Sequence, residues 1–201
     1  MIEYPEGATP LDSDELEGLK YKHITTKGEL DQLEQGNIQM GLVWLSRSRN
    51  PDLLSEEFIR KLHKQLFGDV WKWAGKFRTT GKNIGVDAAQ IGVQLRMLLD
   101  NTKYWIENET YPAEEIAIRF HHRLVYIHLF PNGNGRHARI MADALLTKLM
   151  KKKPIDWAGG YDLQLMINVR RKEYIAALRA ADNNDYSLLF AFASYFPKSD
   201  E

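Results

Sequence analysis

The chain passes from one apolar helical pattern to another through Pro131-Asn132-Gly133-Asn134-Gly135, which leaves room for little but a tight bend. Ile116, Phe120, Leu124 and Ile127 recur at helical spacing before it, and the apolar, alanine-bearing run from Ile140 follows it. Gly133 and Gly135 have no Cβ, so the backbone can take positive φ and approach a ligand closely. Amides at the start of a helix, with its dipole, favour anions. Arg136 and Arg139 are about one turn apart, so both guanidinium groups can reach one anion. Two arginines directly after Gly-Asn-Gly suit a di- or triphosphate better than a carboxylate. His128 precedes the bend, and imidazole is the side chain that accepts and returns a proton near neutral pH. Each element alone also reads as a plain turn with a buried histidine; their concentration in twelve residues favours the anion site.

Composition bounds the alternatives. A chain of 201 residues is the size of one domain, and 44% hydrophobic content with 11% aromatic residues supplies a sizeable core. Lys+Arg and Asp+Glu are 27 each, so the basic excess of a nucleic-acid-binding surface is missing and no nucleic acid is expected as a partner. There is no cysteine, which removes disulfide and thiolate chemistry and fits an intracellular protein. The acidic start Met1-Ile-Glu-Tyr-Pro-Glu-Gly has no apolar stretch like a signal peptide's, and no run approaches the ~18 apolar residues of a membrane span. The expectation is a cytoplasmic protein without a membrane partner. A zinc site could be drawn from His121, His122, His128 and His137, but their spacing matches no common ligand pattern. His121 or His122 is expected to pack or hydrogen-bond behind the bend.

Along the chain, residues 1–12 read as an irregular arm, followed by a short helix from about Asp12. Thr26 and Glu29 make a capping box that opens a helix to about Ser46, with an apolar stripe of Leu30, Leu33, Ile38, Leu42 and Leu45. Ser55 caps a helix to Phe67 carrying Phe58, Leu62 and Leu66. The stretch Phe67 to Ile91 is aromatic (Trp71, Trp73, Phe77), then bears threonine and glycine. It reads as a compact turn followed by extended chain or a hairpin, its rings mostly core anchors. Helices over 89–107, Pro112 to Tyr126, Ile140 to Met150, Asp162 to Ala181 and Tyr186 to Phe196 complete a mainly α fold. The lysines at 151–153 are routine at a helix C-terminus.

The stretch from His128 resembles the signature of the Fic family, His-x-Phe-x-(Asp or Glu)-Gly-Asn-Gly-Arg-x-x-Arg. It matches at His128, Phe130, Gly133, Asn134, Gly135, Arg136 and Arg139. The resemblance implies a Fic-type helical bundle with a small β-hairpin flap. It also implies an enzyme that uses ATP and Mg2+ to transfer AMP to a Ser, Thr or Tyr hydroxyl of a target protein. His128 would take the hydroxyl proton and Phe130 would anchor the loop. Gly133, Asn134 and Gly135 would hold the α- and β-phosphates, Arg136 the leaving phosphates, and Arg139 the γ-phosphate. Asn132 stands where the family has an acidic Mg2+ ligand; an amide oxygen is an uncharged substitute, so the metal would be held mostly by ATP.

Two further segments carry the resemblance. Ser13-Asp-Glu-Leu-Glu17-Gly18 is similar to the family's inhibitory motif, which implies that Glu17 pairs with Arg139 and blocks the γ-phosphate. From the residues alone it is equally an acidic helix start. Trp-Ala-Gly-Lys-Phe-Arg resembles the lead-in to the flap, placing at Thr79, Thr80, Gly81, Lys82, Asn83, Ile84 and Gly85 a strand edge that would dock the target peptide. The implied division is an N-terminal arm over 1–25 and a Fic catalytic domain over 26–201, together one compact domain. The opening Tyr-Pro-Glu-Gly-Ala-Thr-Pro-Leu is similar to the bacterial mobile mystery protein B subgroup, which implies an association with mobile elements and a small helix-turn-helix partner encoded nearby. The related Doc kinases have lysine where this chain has Gly135, which disfavours phosphorylation. Transfer of another nucleotide, removal of AMP, and a non-catalytic nucleotide-binding module remain open.

Overall fold

A computed structural model describes residues 13–24, 26–157 and 168–195. Its helices in chain order are α1 (Ser13–Leu16), α2 (Lys27–Arg47), α3 (Glu56–Phe67), α4 (Ile91–Glu107), α5 (Ala113–Ile127), α6 (Asn134–Ala144), α7 (Asn168–Asp182) and α8 (Ser187–Phe192). The fold is mainly α, as the periodicity predicts. Several starts are set by local chemistry. The Thr26 side chain accepts the Glu29 amide, and the Glu29 carboxylate accepts the Thr26 amide in return. Ser55 accepts the Phe58 amide and caps α3. Pro112, fixed in φ and lacking an N–H, stands at the head of α5. The arm over 1–12 and the expected helix start at Asp162 lie outside the described residues, and α8 ends at Phe192 rather than Phe196.

Helix α5 is buried on most of its sides because it serves two cores. Its Phe120, Leu124 and Ile127 join a cluster with Ile59, Leu62 and Leu66 of α3, Leu95 and Leu98 of α4, and Ile140 and Met141 of α6. Its Ala117 and Ile118 join a second cluster with Ala142, Leu146, Trp157, Ala177 of α7 and Leu189 of α8. Both α5 and α6 therefore run through the middle of the molecule, and the bend joining them is fixed from both sides. Past α6 the helix widens into a π-type turn over Leu145–Leu149. Asp143 then draws the returning chain inward, accepting the Ile155 amide at 2.9 Å and Trp157 Nε1 at 3.1 Å.

The expected β-hairpin at 79–86 is not formed. Among the described residues the β pairing is a single antiparallel bridge, Leu19 with Trp71, flanked by Lys20 N–H to the Val70 carbonyl and Lys72 N–H to the Gly18 carbonyl. Residues 79–86 are irregular. The Arg78 guanidinium instead binds the Thr80 and Val86 carbonyls of this segment.

No helix of the described residues is long and apolar enough to cross a membrane.

Candidate active site

The bend between α5 and α6 is built from buried residues. His128 closes α5 in the left-handed region (φ 57, ψ 64), a conformation uncommon for a side chain other than Asn, Asp or Gly. Phe130 is fully buried and stacks on His63 at 3.7 Å. His63 accepts the Gly75 amide on Nδ1, so its Nε2–H donates to the Asn132 carbonyl at 3.1 Å, tying the bend to α3. Gly133, at φ 78, caps α6; a Cβ there would lie 2.7 Å from the Phe67 ring. The Asn134 side chain binds the Phe130 backbone twice, Oδ1 accepting its N–H at 2.9 Å and Nδ2 donating to its carbonyl at 2.8 Å. That side chain closes the loop, so Asn134 can offer an anion only its amide. Gly133 contributes no side-chain cap, and the first-turn amides of α6 are those a helix leaves without an internal acceptor.

The two arginines of the bend turn to different neighbours. Arg136 lies over the Phe67 ring at 4.8 Å and donates to Glu34 of α2 at 2.8 Å, both side chains almost wholly buried. The sequence reading passed over Glu34, although a carboxylate four residues from Leu30 and from Ile38 on an apolar stripe is the signal that marks it. Arg139, 1% exposed, lies over Tyr174 of α7 at 5.3 Å, with Nη1 3.7 Å from where a Gly135 Cβ would stand. Tyr174 shares a 2.9 Å hydrogen bond with His121 Nε2. A third cation belongs to the same neighbourhood. Burial and then the charge of Arg136 lower the pKa of Arg171 on α7.

His128 is 5% exposed, and its pKa is lowered to about 4, first by burial and then by the charge of Arg78. It is therefore neutral at pH 7, the form that can accept a proton. The remaining histidines have separate partners. His137 donates to the Ile59 carbonyl, and His122 lies between Tyr186 and Asp182. Asn132 Oδ1 accepts the Gly133 amide at 2.6 Å, and among the described residues no group of three His, Asp or Glu could hold a metal ion. The protein by itself offers no set of metal ligands at the bend.

The N-terminal segment reaches this region, but not through Glu17. Glu17 is exposed and the pair with Arg139 expected from the motif is not formed. Gly18 packs so tightly on the Trp73 ring that a Cβ would stand 2.4 Å from it, and the chain turns there with Glu17 outward. The engaged residue is Glu15. Its carbonyl accepts Trp73 Nε1 at 2.9 Å, and its carboxylate pairs with Lys82 in a nearly buried bridge. Lys82 belongs to the segment 79–85, where Ile84 is exposed and Gly85 (φ 94) abuts His128. Ser13 is exposed at the start of α1.

Comparisons with known proteins agree with this geometry. Residues 53–146, from just before α3 into the π turn after α6, match the Fic/DOC family. Protein adenylyltransferase fic-1 of Caenorhabditis elegans is 28% identical over 163 residues, covering 77% of this chain and 28% of that protein. The chain thus spans about a quarter to a third of the length of the curated relatives it matches. The fold is similar to the N-terminal FIC domain of Bep8 from Bartonella sp. 1-1C, with a TM-score of 0.68 at 16% identity, covering 88% of this chain and 92% of that one. It is also similar to BepC of Bartonella tribocorum, solved with bound AMPPNP, at a TM-score of 0.65 and 18% identity over 94% of this chain and all of that one. Over residues 53–146, this chain is similar to the Fic/DOC family.

Proposed function

We propose that the chain is a protein adenylyltransferase that moves AMP from ATP to a Ser, Thr or Tyr hydroxyl of a target protein. The observation that carries the reading is the neutral His128 imidazole at the bend that opens α6 with bare first-turn amides. In this mechanism the phosphates of ATP lie on the amides of Asn134 and Gly135, and on that of Gly133 where they displace the Asn132 side chain. Arg139 and Arg171 supply positive charge, and Arg136 contributes through what its bond to Glu34 leaves available. The acceptor hydroxyl attacks the α-phosphorus, the bond from that phosphorus to the bridging oxygen breaks, and pyrophosphate leaves. His128 takes the hydroxyl proton. Positioning and charge neutralisation are the main devices of such chemistry. Asn132, released from the Gly133 amide, would be the loop's ligand for an Mg2+ bound to ATP, which would add charge neutralisation at the phosphates. The binding of AMPPNP by BepC supports ATP as the substrate.

The finer parts of the proposal concern regulation and setting. Residues 26–201 form the catalytic unit and residues 1–25 an arm that restrains it, since α1 sits against Trp73 and Lys82 beside the proposed dock. The Ser13–Gly18 motif supports Glu17 as an inhibitory carboxylate, brought onto Arg139 by rotation of that arm. The opening residues support membership of the mobile mystery protein B subgroup, hence a bacterial, cytoplasmic protein with a helix-turn-helix partner. The test is incubation of Glu17→Gly protein with α-labelled and γ-labelled ATP in cell lysate. Protein labelled from the α position alone, more strongly than by wild type, is the expected result. Label from the γ position alone means a kinase and overturns the reading, and labelling equal to wild type overturns the role of Glu17.

A further inference from the structure

One buried cation beside the bend has no part in the mechanism above. Arg78 is 3% exposed and follows the compact turn at Trp71–Lys76. Its Nε donates to the His128 carbonyl at 2.6 Å and its Nη2 to the Ile127 carbonyl at 3.3 Å. On the other side, Nη1 donates to the Thr80 carbonyl at 2.9 Å and Nη2 to that of Val86. Its own amide donates to the Leu129 carbonyl at 2.9 Å. A planar fork with fixed donors is suited to holding several carbonyls at once, and lysine cannot reproduce it. A second contact joins the same two segments. Gly85 lies so close to the bend that a Cβ would stand 2.5 Å from the His128 Cβ and 2.9 Å from Arg78 Nη2.

We propose that Arg78 is a positioning residue for the transfer reaction: one guanidinium ties segment 79–87 to the backbone of His128, so the surface that presents the acceptor hydroxyl and the imidazole that takes its proton are held in one register. The proposal rests on the adenylyltransferase reading. It explains how a flap without a strand ladder keeps a defined shape, and how His128 holds a left-handed backbone that its own preferences do not favour. Misplacing an acceptor by about an ångström costs a transfer enzyme ~10²-fold in rate. The loss belongs to kcat, because the amides and arginines proposed to hold ATP are not bonded to Arg78.

The experiment compares wild type, Arg78→Gln, Arg78→Lys and Gly85→Ala in steady-state AMP transfer and in hydrogen exchange of the backbone. Arg78→Gln and Gly85→Ala are expected to lose about 10²-fold in kcat with the KM for ATP within two-fold of wild type. Arg78→Lys, which keeps charge but not the fork, is expected to recover little. A pH profile separates charge from geometry. The groups facing His128 are Arg78, Lys82, itself paired with Glu15, and the Val125 carbonyl. Removing the Arg78 charge moves the acid limb of kcat/KM to higher pH in the glutamine variant, whereas the lysine variant leaves it in place. In exchange, residues 79–87 and 127–129 should lose protection together in Arg78→Gln while α2 and α3 keep theirs. A glutamine variant with kcat within two-fold of wild type, or one that loosens 79–87 while 127–129 stays protected, overturns the proposal. Should wild type transfer no AMP, the adenylyltransferase reading fails, and the exchange result alone decides whether the clamp exists.

Discussion

The Glu34 carboxylate accepts Arg136 Nη1 at 2.8 Å and Trp71 Nε1 at 2.7 Å, joining α2 to α6 across 102 residues of sequence. Both charged side chains are less than a tenth exposed, so neither can exchange its partner for water. Removing one member of such a pair strands a buried charge, which costs about 3–5 kcal/mol. Glu34→Ala should therefore lower the unfolding free energy by roughly that amount, read from urea denaturation. Glu34→Gln, which keeps the side chain's volume and one acceptor oxygen but not the charge, should lose less. Equal losses in the two variants would mean that the carboxylate charge alone, with nothing from packing or the retained acceptor, holds this contact.

Stability should fall with acidity well before carboxylates are protonated. Burial pushes His63 and His121 well below their ordinary value, and His137 and His128 to about 4. In the unfolded chain these groups titrate near 6.5, so below that pH the unfolded state binds protons that the folded state refuses. The stabilisation is complete above pH 6.5 and is lost as pH falls from there toward 4, by up to about 1.4 kcal/mol per pH unit for each histidine. A Tm that drops steadily between pH 6.5 and 5 is expected in calorimetry. A flat Tm over that interval would contradict the burial of these rings.

Activity should respond to acid differently for the free and the ATP-bound protein. The acid limb of kcat/KM reports the free enzyme, where His128 titrates at about 4 and burial is the first cause. No limb is then expected near 6.5. Bound ATP brings negative charge to the bend and raises the pKa of a nearby imidazole, so the limb in kcat should lie at higher pH than the limb in kcat/KM. Initial rates from pH 8 down to below 4 check this. A common limb near 6.5 in both parameters would place the proton acceptor elsewhere.

The parts of this fold that read directly from sequence are those fixed by near neighbours. Thr26 with Glu29, Ser55 with Phe58, and Gly133 at the head of α6 act within three residues, and each stands where the pattern puts it. Long-range polar contacts are a different matter. Arg78 acts on carbonyls about 50 positions away, and nothing adjacent to it announces that role. Threonine and glycine spacing over 79–85 describes the chain's freedom, whereas the bonds from Arg78 to the Thr80 and Val86 carbonyls follow from no local pattern. The Glu34 partner of Arg136 is equally hidden in the sequence, because that carboxylate lies on another helix. Likewise Glu17 carried the motif, but the packing of Gly18 on Trp73 turned it outward and left Glu15 to make the contact.

The account depends on ATP lying at the mouth of α6 with His128 as the group that accepts the proton. The most direct measurement pairs ATP titration by calorimetry with transfer of α-labelled ATP, for wild type and His128→Ala. The expected outcome is an unchanged Kd for ATP and transfer reduced by ~10²–10⁴-fold in the variant. Transfer retained by His128→Ala, or no ATP binding by wild type, would contradict it.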